Sequence, residues 1–452
     1  MLSQLTGRIR FPSLMRRGLP IVMATLLSRP LGYVRTAMQA WLFGATAAMD
    51  AFVLAFSLPN FLQFILLSGP LSGVLVPTFS AVRADRDAFS QLFSSLLTAC
   101  LLASILLGLV AGIAASVLMQ PVGPGLAPDI QELAVFLFRL MLPMLVLQAL
   151  LSVCKGALNT LDSYGPPEYA GLVFNVVFIG TALLLTPYLG ITSLALGASF
   201  GSLVQVALQF PYLRRYGVRY RPMLHFKAHI QPLLTLLQWA FLSTIVATLG
   251  MQIDRALASL LFPGAIAALY YAFLLFMLPA SLAVIPLSTV LLTDLAVVYQ
   301  QGDVANVRRR VAAALRMMLL LTVPVAVAGA LLAEPITRLV YEYGRFNTSD
   351  TQLTAQALRV FMLGLPFYGG MHILTRCFYA IHDTKTPAIV GLMALAVNIA
   401  GDVILMQFFS HQGIAMGRLA FWLVSACALY IGFQQQCRRL SPGEAPDLSA
   451  AP

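Results

Sequence analysis

Long apolar runs follow one another along nearly the whole chain, separated by short polar segments. Most runs reach about 20 residues, the length a helix needs to cross the hydrocarbon core of a bilayer. Runs longer than one crossing are expected to tilt or to continue into the interface. The pattern predicts an all-α polytopic membrane protein with about twelve transmembrane helices, at roughly residues 18–43, 50–81, 89–119, 131–158, 166–187, 190–213, 229–261, 265–299, 309–334, 353–381, 386–408 and 412–436.

The composition agrees with a membrane protein. Hydrophobic residues make up 59% and charged residues 10% of the 452 residues, against roughly a quarter charged in soluble domains. The five cysteines show no C-x-x-C spacing, and the five histidines are scattered. No glycine-rich phosphate loop or nucleophile elbow occurs, so we predict no metal centre, no other cofactor and no enzyme activity.

Basic residues mark alternate loops. Lysines and arginines cluster before the first predicted span, between spans six and seven, between eight and nine, and after the last. The loops near Gly44, Gly123, Gly190, Pro263 and Gln412 contain neither residue type. By the positive-inside rule, both termini are cytoplasmic, and residues 1–17 are expected to be a retained segment rather than a signal peptide. The net charge of +11 mostly reflects this bias and attraction to lipid headgroups, rather than nucleic-acid binding.

The chain contains an internal duplication. Residues 35–59, RTAMQAWLFGATAAMDAFVLAFSLP, resemble residues 255–279, RALASLLFPGAIAALYYAFLLFMLP. Three weaker echoes follow in the same order at nearly the same spacing: Gly69–Pro77 with Ile285–Thr293, Leu161–Pro167 with His382–Ala388, and Gly190–Gly197 with Gly413–Ala420. A fixed spacing repeated in order is the signature of a duplicated architecture.

The duplication predicts two parallel six-helix lobes around a central cavity. An even number of spans in each repeat preserves orientation, as in transporters that bind substrate between two halves. We expect a cytoplasmic segment at 1–17, an N-lobe at 18–215, a basic linker at 216–228, a C-lobe at 229–436 and a cytoplasmic tail at 437–452. A duplicated channel or enzyme would show the same symmetry, so the architecture alone favours transport without establishing it.

Charged residues lie inside the first two predicted spans. Arg29 and Arg35 fall in the first, and Asp50 begins the second. A charge at the centre of a bilayer costs at least about 2.5–3.5 kcal/mol, so such residues usually face a partner or a water-filled path. Arg35 and Asp50 could therefore pair to close a gate, and both arginines could border one wide cavity.

Several motifs resemble the MurJ/MviN lipid II flippase family, part of the multidrug/oligosaccharidyl-lipid/polysaccharide exporter superfamily. The N-terminal motifs are SRPLGYVR at 28–35, DAFVLAFSLPNF at 50–61 and GVLVPTFS at 73–80. A long later motif, YEYGRFNTSDTQLTAQALRVFMLGLPFYGGMHILTRCFYAIHDTKTP, covers 341–387, and the resemblance extends from about residue 23 to 420.

The resemblance implies a flippase that carries a polyprenyl-pyrophosphate glycan, such as lipid II, from the inner to the outer leaflet by alternating access. Substrate would contact Ser28, Arg29, Arg35, Asp50 and the position of Gln63. Guanidinium groups suit this cargo because they stay charged and bind phosphate oxygens bidentately. The implied location is the bacterial cytoplasmic membrane. The implied partners are the bilayer, the lipid-linked glycan and glycan enzymes such as glycosyltransferases or polymerases.

The chain departs from the family pattern at positions that usually carry charge. Gln63 and Phe64 stand where relatives have two arginines, and Ser68 replaces an acidic residue. The segment Tyr270–Leu274 reads YYAFL where relatives have YYADR, so Phe273 and Leu274 replace both charges. These departures keep three alternatives open: a different lipid-linked glycan, a small-molecule exporter, and a transport-inactive scaffold for glycan enzymes.

Some relatives bind sodium between spans seven, eleven and twelve. Asp254, Asn398 and Asp402 match the oxygen ligands, but Arg418 replaces a threonine. We therefore expect the Arg418 guanidinium to stand where sodium would bind and to pair with Asp402 or Asp254. Alternatively, Arg418 faces the cavity or pairs locally, and sodium or proton coupling stays open.

Overall fold

The computed structural model describes residues 28–63, 70–223, 245, 248–300, 303–381 and 383–439. Within these ranges the chain is helical apart from short connections, and they contain no β-strand. The helices are α1 (28–43), α2 (Ala47–Gln63), α3 (Pro70–Ala81), α4 (Arg86–Ile113), α5 (Ala115–Met119), α6 (Pro128–Thr160), α7 (Gly165–Leu189), α8 (Thr192–Arg215), α9 (248–258), α10 (Ala265–Pro279), α11 (Ile285–Gln300), α12 (Val304–Leu331), α13 (Ala333–Tyr341), α14 (Thr348–Leu363), α15 (Leu365–Ala380), α16 (Lys385–Phe409) and α17 (His411–Arg439).

Eight stretches of the described chain are long and apolar enough to cross a bilayer. They are α4, α6, α7, α8, the α10–α11 stretch to Leu291, α12, α16 and α17, and the bent pair α14–α15 makes a ninth if it forms one span. The predicted all-α polytopic class is thereby confirmed, whereas the number twelve is not. Parts of predicted spans one, two and seven lie outside the described residues.

Two of these spans are interrupted where the sequence weakens the helix. A π-helical turn, Ala280–Val284, joins α10 to α11 and lies between Pro279 and Pro286. Because proline cannot donate a backbone hydrogen bond, it favours such local rearrangements. The α14–α15 pair bends by 46° at Gly364, which is followed two residues later by Pro366.

The described residues belong to two compact units. The first takes the described parts of 1–39, 55–118 and 132–237, and its core contains Phe79, Phe89, Phe93 and Val153. The second takes the described parts of 40–54, 119–131 and 238–452. Aromatic rings form much of its core: Phe276 stacks on Trp422 at 4.8 Å between centroids, and Phe361 and Tyr368 pack against both.

The duplication is visible in two helices of equal length. Helices α7 and α16 each contain 25 residues. Each is followed by a residue with nearly identical backbone angles: Gly190 has φ 53° and ψ −134°, and Ser410 has φ 53° and ψ −133°. This geometry pairs Gly190 with Ser410 rather than with Gly413, so the fourth sequence echo is out of register by three residues.

Candidate functional site

The first helix carries its arginines beside aromatic rings of α7. The Cζ atom of Arg35 lies 5.5 Å from the ring centroid of Phe174 and 5.3 Å from that of Phe178. Phe174 and Phe178 are four residues apart and therefore share one face of α7. Ring faces attract a guanidinium electrostatically, and this attraction strengthens when the group is removed from water. The two rings thus position the half-buried Arg35 side chain.

The start of α1 is also held by α7. The Nδ2 atom of Asn175 donates a hydrogen bond to the backbone oxygen of Ser28 at 3.3 Å, and Asn175 is buried. Arg29 is half-buried at this end of the helix. The predicted substrate residues Ser28, Arg29 and Arg35 therefore belong to one unit and to one helix that packs on α7. Gln63 is half-buried at the last residue of α2.

Asp50 caps the N-terminus of α10. Its Oδ2 accepts the N–H of Gly264 at 2.6 Å, and its Oδ1 accepts the N–H of Ala267 at 2.7 Å. Gly264, the N-cap residue of α10, has φ 97° and no side chain that could do this. The first N–H groups of a helix lack partners within it, and a carboxylate there also interacts favourably with the helix dipole. Asp50 is 2% exposed, so its carboxylate is closed to ligands in this conformation.

Residues 44–46 form the turn between α1 and α2 and are called the Gly44 turn below. This turn is hydrogen-bonded to α10 and to the first turn of α14. Three hydrogen bonds hold it and its flank: Ala45 N–H to Asp350 Oδ2 at 3.3 Å, Tyr271 hydroxyl to Gly44 O at 3.3 Å, and Arg345 N–H to Trp41 O at 2.9 Å. These atoms all belong to the second unit. No sequence pattern predicts these contacts of Asp350 and Tyr271, although the Asn347–Asp350 spacing does predict the capping box that begins α14.

The four residues of the proposed ion site lie together on α9, α16 and α17. Arg418 Nε donates to Asp254 Oδ2 at 2.8 Å, and Arg418 Nη2 contacts the same oxygen. Asn398 Nδ2 donates to Asp402 Oδ2 at 2.7 Å and to Asp254 Oδ1 at 3.3 Å. Asn398 and Asp402 are fully buried, and Arg418 is 6% exposed. Of the two partners expected for Arg418, the guanidinium bonds to Asp254.

This arrangement does not fit a sodium ion. Both Asp254 oxygens already accept hydrogen bonds, and Asp402 Oδ1 lies against the backbone of Gly417. Arg255 follows Asp254 and lines the same small cavity of about 60 Å³ as Arg418. Arg418 supplies the countercharge of Asp254, whereas Arg255 donates a hydrogen bond to the Oε1 atom of Gln252 at 3.0 Å. Arg418 and Asn398 donate to three of the four carboxylate oxygens of Asp254 and Asp402, whereas Asp402 Oδ1 and Asn398 Oδ1 accept no hydrogen bond within the described part of the chain. A hard cation needs more free oxygen ligands than these two.

In the charge-free segment of α10, Phe273 packs on aromatic rings and also borders the small cavity that Asp254, Arg255 and Arg418 line. Phe273 lies 5.8 Å from both Phe276 and Phe361 between ring centroids, and Leu274 is half-buried. Tyr271 is fully buried and packs on Tyr341. Ser68, the other departure from the family pattern, lies outside the described residues, as does Phe64.

Comparisons with known proteins agree with this fold. The sequence model of the family "Lipid II flippase MurJ" matches residues 39–445. A relative from Rickettsia prowazekii, "Probable lipid II flippase MurJ", is 30% identical over 416 residues, covering 91% of this chain and 82% of the relative.

Solved structures show the same similarity. A structure of "Lipid II flippase MurJ, inward closed conformation" superposes with a TM-score of 0.80 at 25% identity, covering 93% of this chain and 89% of that one. An inward-facing multidrug resistance MATE family transporter of the MOP superfamily reaches 0.79 at 16% identity, covering 94% and 100%, and so shares the fold. The match across most of the sequence shows that the chain belongs to the lipid II flippase MurJ family.

Proposed function

We propose that this chain moves a lipid-linked glycan precursor bearing a pyrophosphate, such as lipid II, from the inner to the outer leaflet of the bacterial cytoplasmic membrane by alternating access. The family match over residues 39–445 is the observation that carries this proposal. The relative and the MurJ structure described above are both named lipid II flippases. The chain supplies no ATP-binding motif, so the free energy would come from the membrane potential or an ion gradient.

The chemistry of α1 supports an anionic cargo. Arg29 and Arg35 are half-buried guanidinium groups on a helix that packs on α7. Aromatic faces orient a guanidinium without cancelling its charge, so Phe174 and Phe178 can hold Arg35 in place for a phosphate. Bidentate contacts between guanidinium and phosphate oxygens would replace part of the hydration that the head group loses. Ser28 and Gln63 would add neutral contacts.

The cap at Asp50 and the Gly44 turn would act as a latch. By the positive-inside rule this end of the spans faces outward, with both termini in the cytoplasm. Opening toward that side would break the bonds from Gly264 and Ala267 to Asp50 and those that hold the Gly44 turn. An N-cap bond is worth about 0.5–2 kcal/mol, so a few such bonds can hold one state without locking it. The proposed lobes, 18–215 and 229–436, would exchange conformations around this latch.

The cluster around Arg418 would make this flippase independent of sodium. The guanidinium supplies, as part of the chain, the positive charge that the Asp254 carboxylate requires. A buried carboxylate without a partner is strongly destabilising, and Arg418 removes this cost for Asp254 without a bound sodium ion. The four residues would then act as a permanent link between α9, α16 and α17.

Complementation tests the proposed activity. The native lipid II flippase of a tractable bacterium is depleted while this chain is expressed, together with Arg29→Ala and Arg35→Ala. We expect growth to be rescued by the natural chain and to fail with either variant at equal membrane abundance. Arg83→Ala is the matched control, because Arg83 forms an exposed ion pair with Asp162 and should tolerate the change.

Two outcomes of this test separate the alternatives. If both arginine variants rescue as well as the natural chain, the proposed role of Arg29 and Arg35 in transport is wrong. A transport-inactive scaffold would not restore growth in any form. If the natural chain itself fails at normal abundance, lipid II is not its cargo. The apolar packing of Phe273 and Leu274 favours a different lipid-linked glycan in that case, since the two charges that relatives place there are missing.

A further inference from the structure

A groove on the second unit combines an apolar lining with a basic end. Helices α12 and α17 form its walls, and α15, on which both pack, forms its floor. Its volume is about 830 Å³. The apolar part is lined by Leu319, Phe367, Leu374, Tyr430 and Phe433, and it is called the α12–α17 groove below.

Three arginines of α12 line the same groove. Arg308, Arg309 and Arg316 are all exposed, and none of the described residues that line the groove is acidic. Arg309 and Arg316 are seven residues apart, so they share one face of the helix and are separated by about 10 Å along it. Arg316 lies about 18 Å from the start of α12, a depth at which an arginine needs an anionic partner or water.

The groove follows the direction of a lipid molecule. Its α12 wall extends from Ala305 to Leu319, about 21 Å, which spans the headgroup region and most of one leaflet of hydrocarbon. The arginines are at the end that the positive-inside rule assigns to the cytoplasm, where the leaflet is rich in anionic lipids. The aromatic and aliphatic side chains follow at the depth of acyl chains.

We propose that the α12–α17 groove binds an anionic phospholipid from the cytoplasmic leaflet, with the headgroup phosphate on Arg309 and Arg316 and an acyl chain along Phe367 and Tyr430. The site uses none of the residues of the proposed transport path. Arg308 extends the positive surface at the entrance. The ligand is a structural or regulatory lipid, distinct in role from the transported glycan.

Two sets of variants test the head and the tail separately. Arg309→Gln with Arg316→Gln removes the phosphate contacts. Gly370→Leu blocks the apolar part, because a Cβ at Gly370 meets only the Cβ of Ala426, at 3.6 Å, and a longer side chain then projects into the groove. Arg310→Gln is the matched control, since Arg310 is adjacent on the same helix but does not line the groove.

The experiment uses the purified full chain in detergent with added phosphatidylglycerol or phosphatidylcholine. Native mass spectrometry measures the retained lipid, and the melting temperature measures its effect. We expect phosphatidylglycerol to be retained and to raise the melting temperature, and phosphatidylcholine to do neither. Each lost charge should lower the apparent affinity for phosphatidylglycerol about fivefold, so the double arginine variant should lower it at least tenfold. Gly370→Leu should lower it comparably, while Arg310→Gln leaves it unchanged.

Several results would overturn the proposal. Equal retention of both lipids would show that charge does not select the ligand. An effect of the arginine variants without an effect of Gly370→Leu would reduce the groove to a surface anion site. The groove would belong to the transported lipid if a polyprenyl pyrophosphate displaced bound phosphatidylglycerol at a concentration lower than that at which phosphatidylglycerol itself binds. Because Gly370→Leu keeps all the charges and the arginine variants are on the surface, misfolding of one variant leaves the other test intact.

Discussion

Arg418 on α17 and Asp254 on α9 form a buried ion pair in which two guanidinium nitrogens reach one carboxylate oxygen. The Nε to Oδ2 distance is 2.8 Å, and the two side chains are 7% and 16% exposed. Breaking such a pair by removing one partner costs about 3–5 kcal/mol, because the other charge stays buried and unpaired. The pair therefore fixes α9 against α17 and places a positive charge beside Asp254.

Replacing Arg418 with threonine should create a response to sodium. The change removes the built-in cation and leaves Asp254 and Asp402 with hydroxyl and carboxamide oxygens around them, a donor set suited to a hard cation. We expect sodium, compared with potassium, to raise the melting temperature of Arg418→Thr and to leave the natural chain and Arg418→Lys unchanged. A sodium response of the natural chain, or none in a folded Arg418→Thr variant, would contradict the assignment.

Asp50→Asn should weaken the cap of α10. Asparagine keeps the shape, but its Nδ2 cannot accept, so either the Gly264 or the Ala267 N–H loses its partner. A buried N–H without a partner costs about 1–3 kcal/mol, which a melting curve in detergent would detect.

The comparison for Asp50 is Asp85→Asn, at the exposed cap of α4. That change should cost at most about 1 kcal/mol and leave complementation intact. Equal losses of stability and of complementation at both positions would argue against a special role for the Asp50 cap as a latch.

Gly417→Ala should destabilise the packing of α16 on α17. A Cβ at Gly417 would overlap the carboxylate of Asp402, which cannot move away because Asn398 holds it. Overpacking of this kind costs about 1–3 kcal/mol. Gly180→Ala on α7 is the control: a Cβ there has open space, and alanine should add about 0.5–1 kcal/mol of stability. The melting temperatures of the two variants should therefore shift in opposite directions. If both shift in the same direction, the close packing of Gly417 against Asp402 is wrong.

The paired turns after α7 and α16 allow a reciprocal test. Gly190→Ser places a side chain in open space, so its only cost is the strained backbone at φ 53° and ψ −134°, about 1–3 kcal/mol. Ser410 already bears that cost, and Ser410→Gly should therefore leave the melting temperature unchanged or higher. A clear loss of stability in Ser410→Gly, as for glycine in an ordinary turn, would contradict the equivalence of the two turns.

Sequence patterns found the charged residues but not most of their partners. The motif beginning at Ser28 identified Arg35, yet the rings of Phe174 and Phe178 that hold it are about 140 positions away and resemble any other apolar residues of a span. The sequence predicts a gate role for Asp50 but not its hydrogen bonds at the start of α10, which depend on the backbone of Gly264 and Ala267. No local signal in the sequence identifies such backbone donors.

The sequence by itself determined the membrane class, the duplication and the family, because hydropathy, repeat spacing and motifs are local properties of the chain. Only the tertiary structure decided that Arg418 bonds to Asp254 rather than to Asp402, and that Asn398 bridges the two carboxylates. It also decided that three arginines of α12 border a groove rather than a loop. The physical reason is that the pairing of a buried charge depends on which helix faces meet, and residues 164 positions apart meet only when the helices pack.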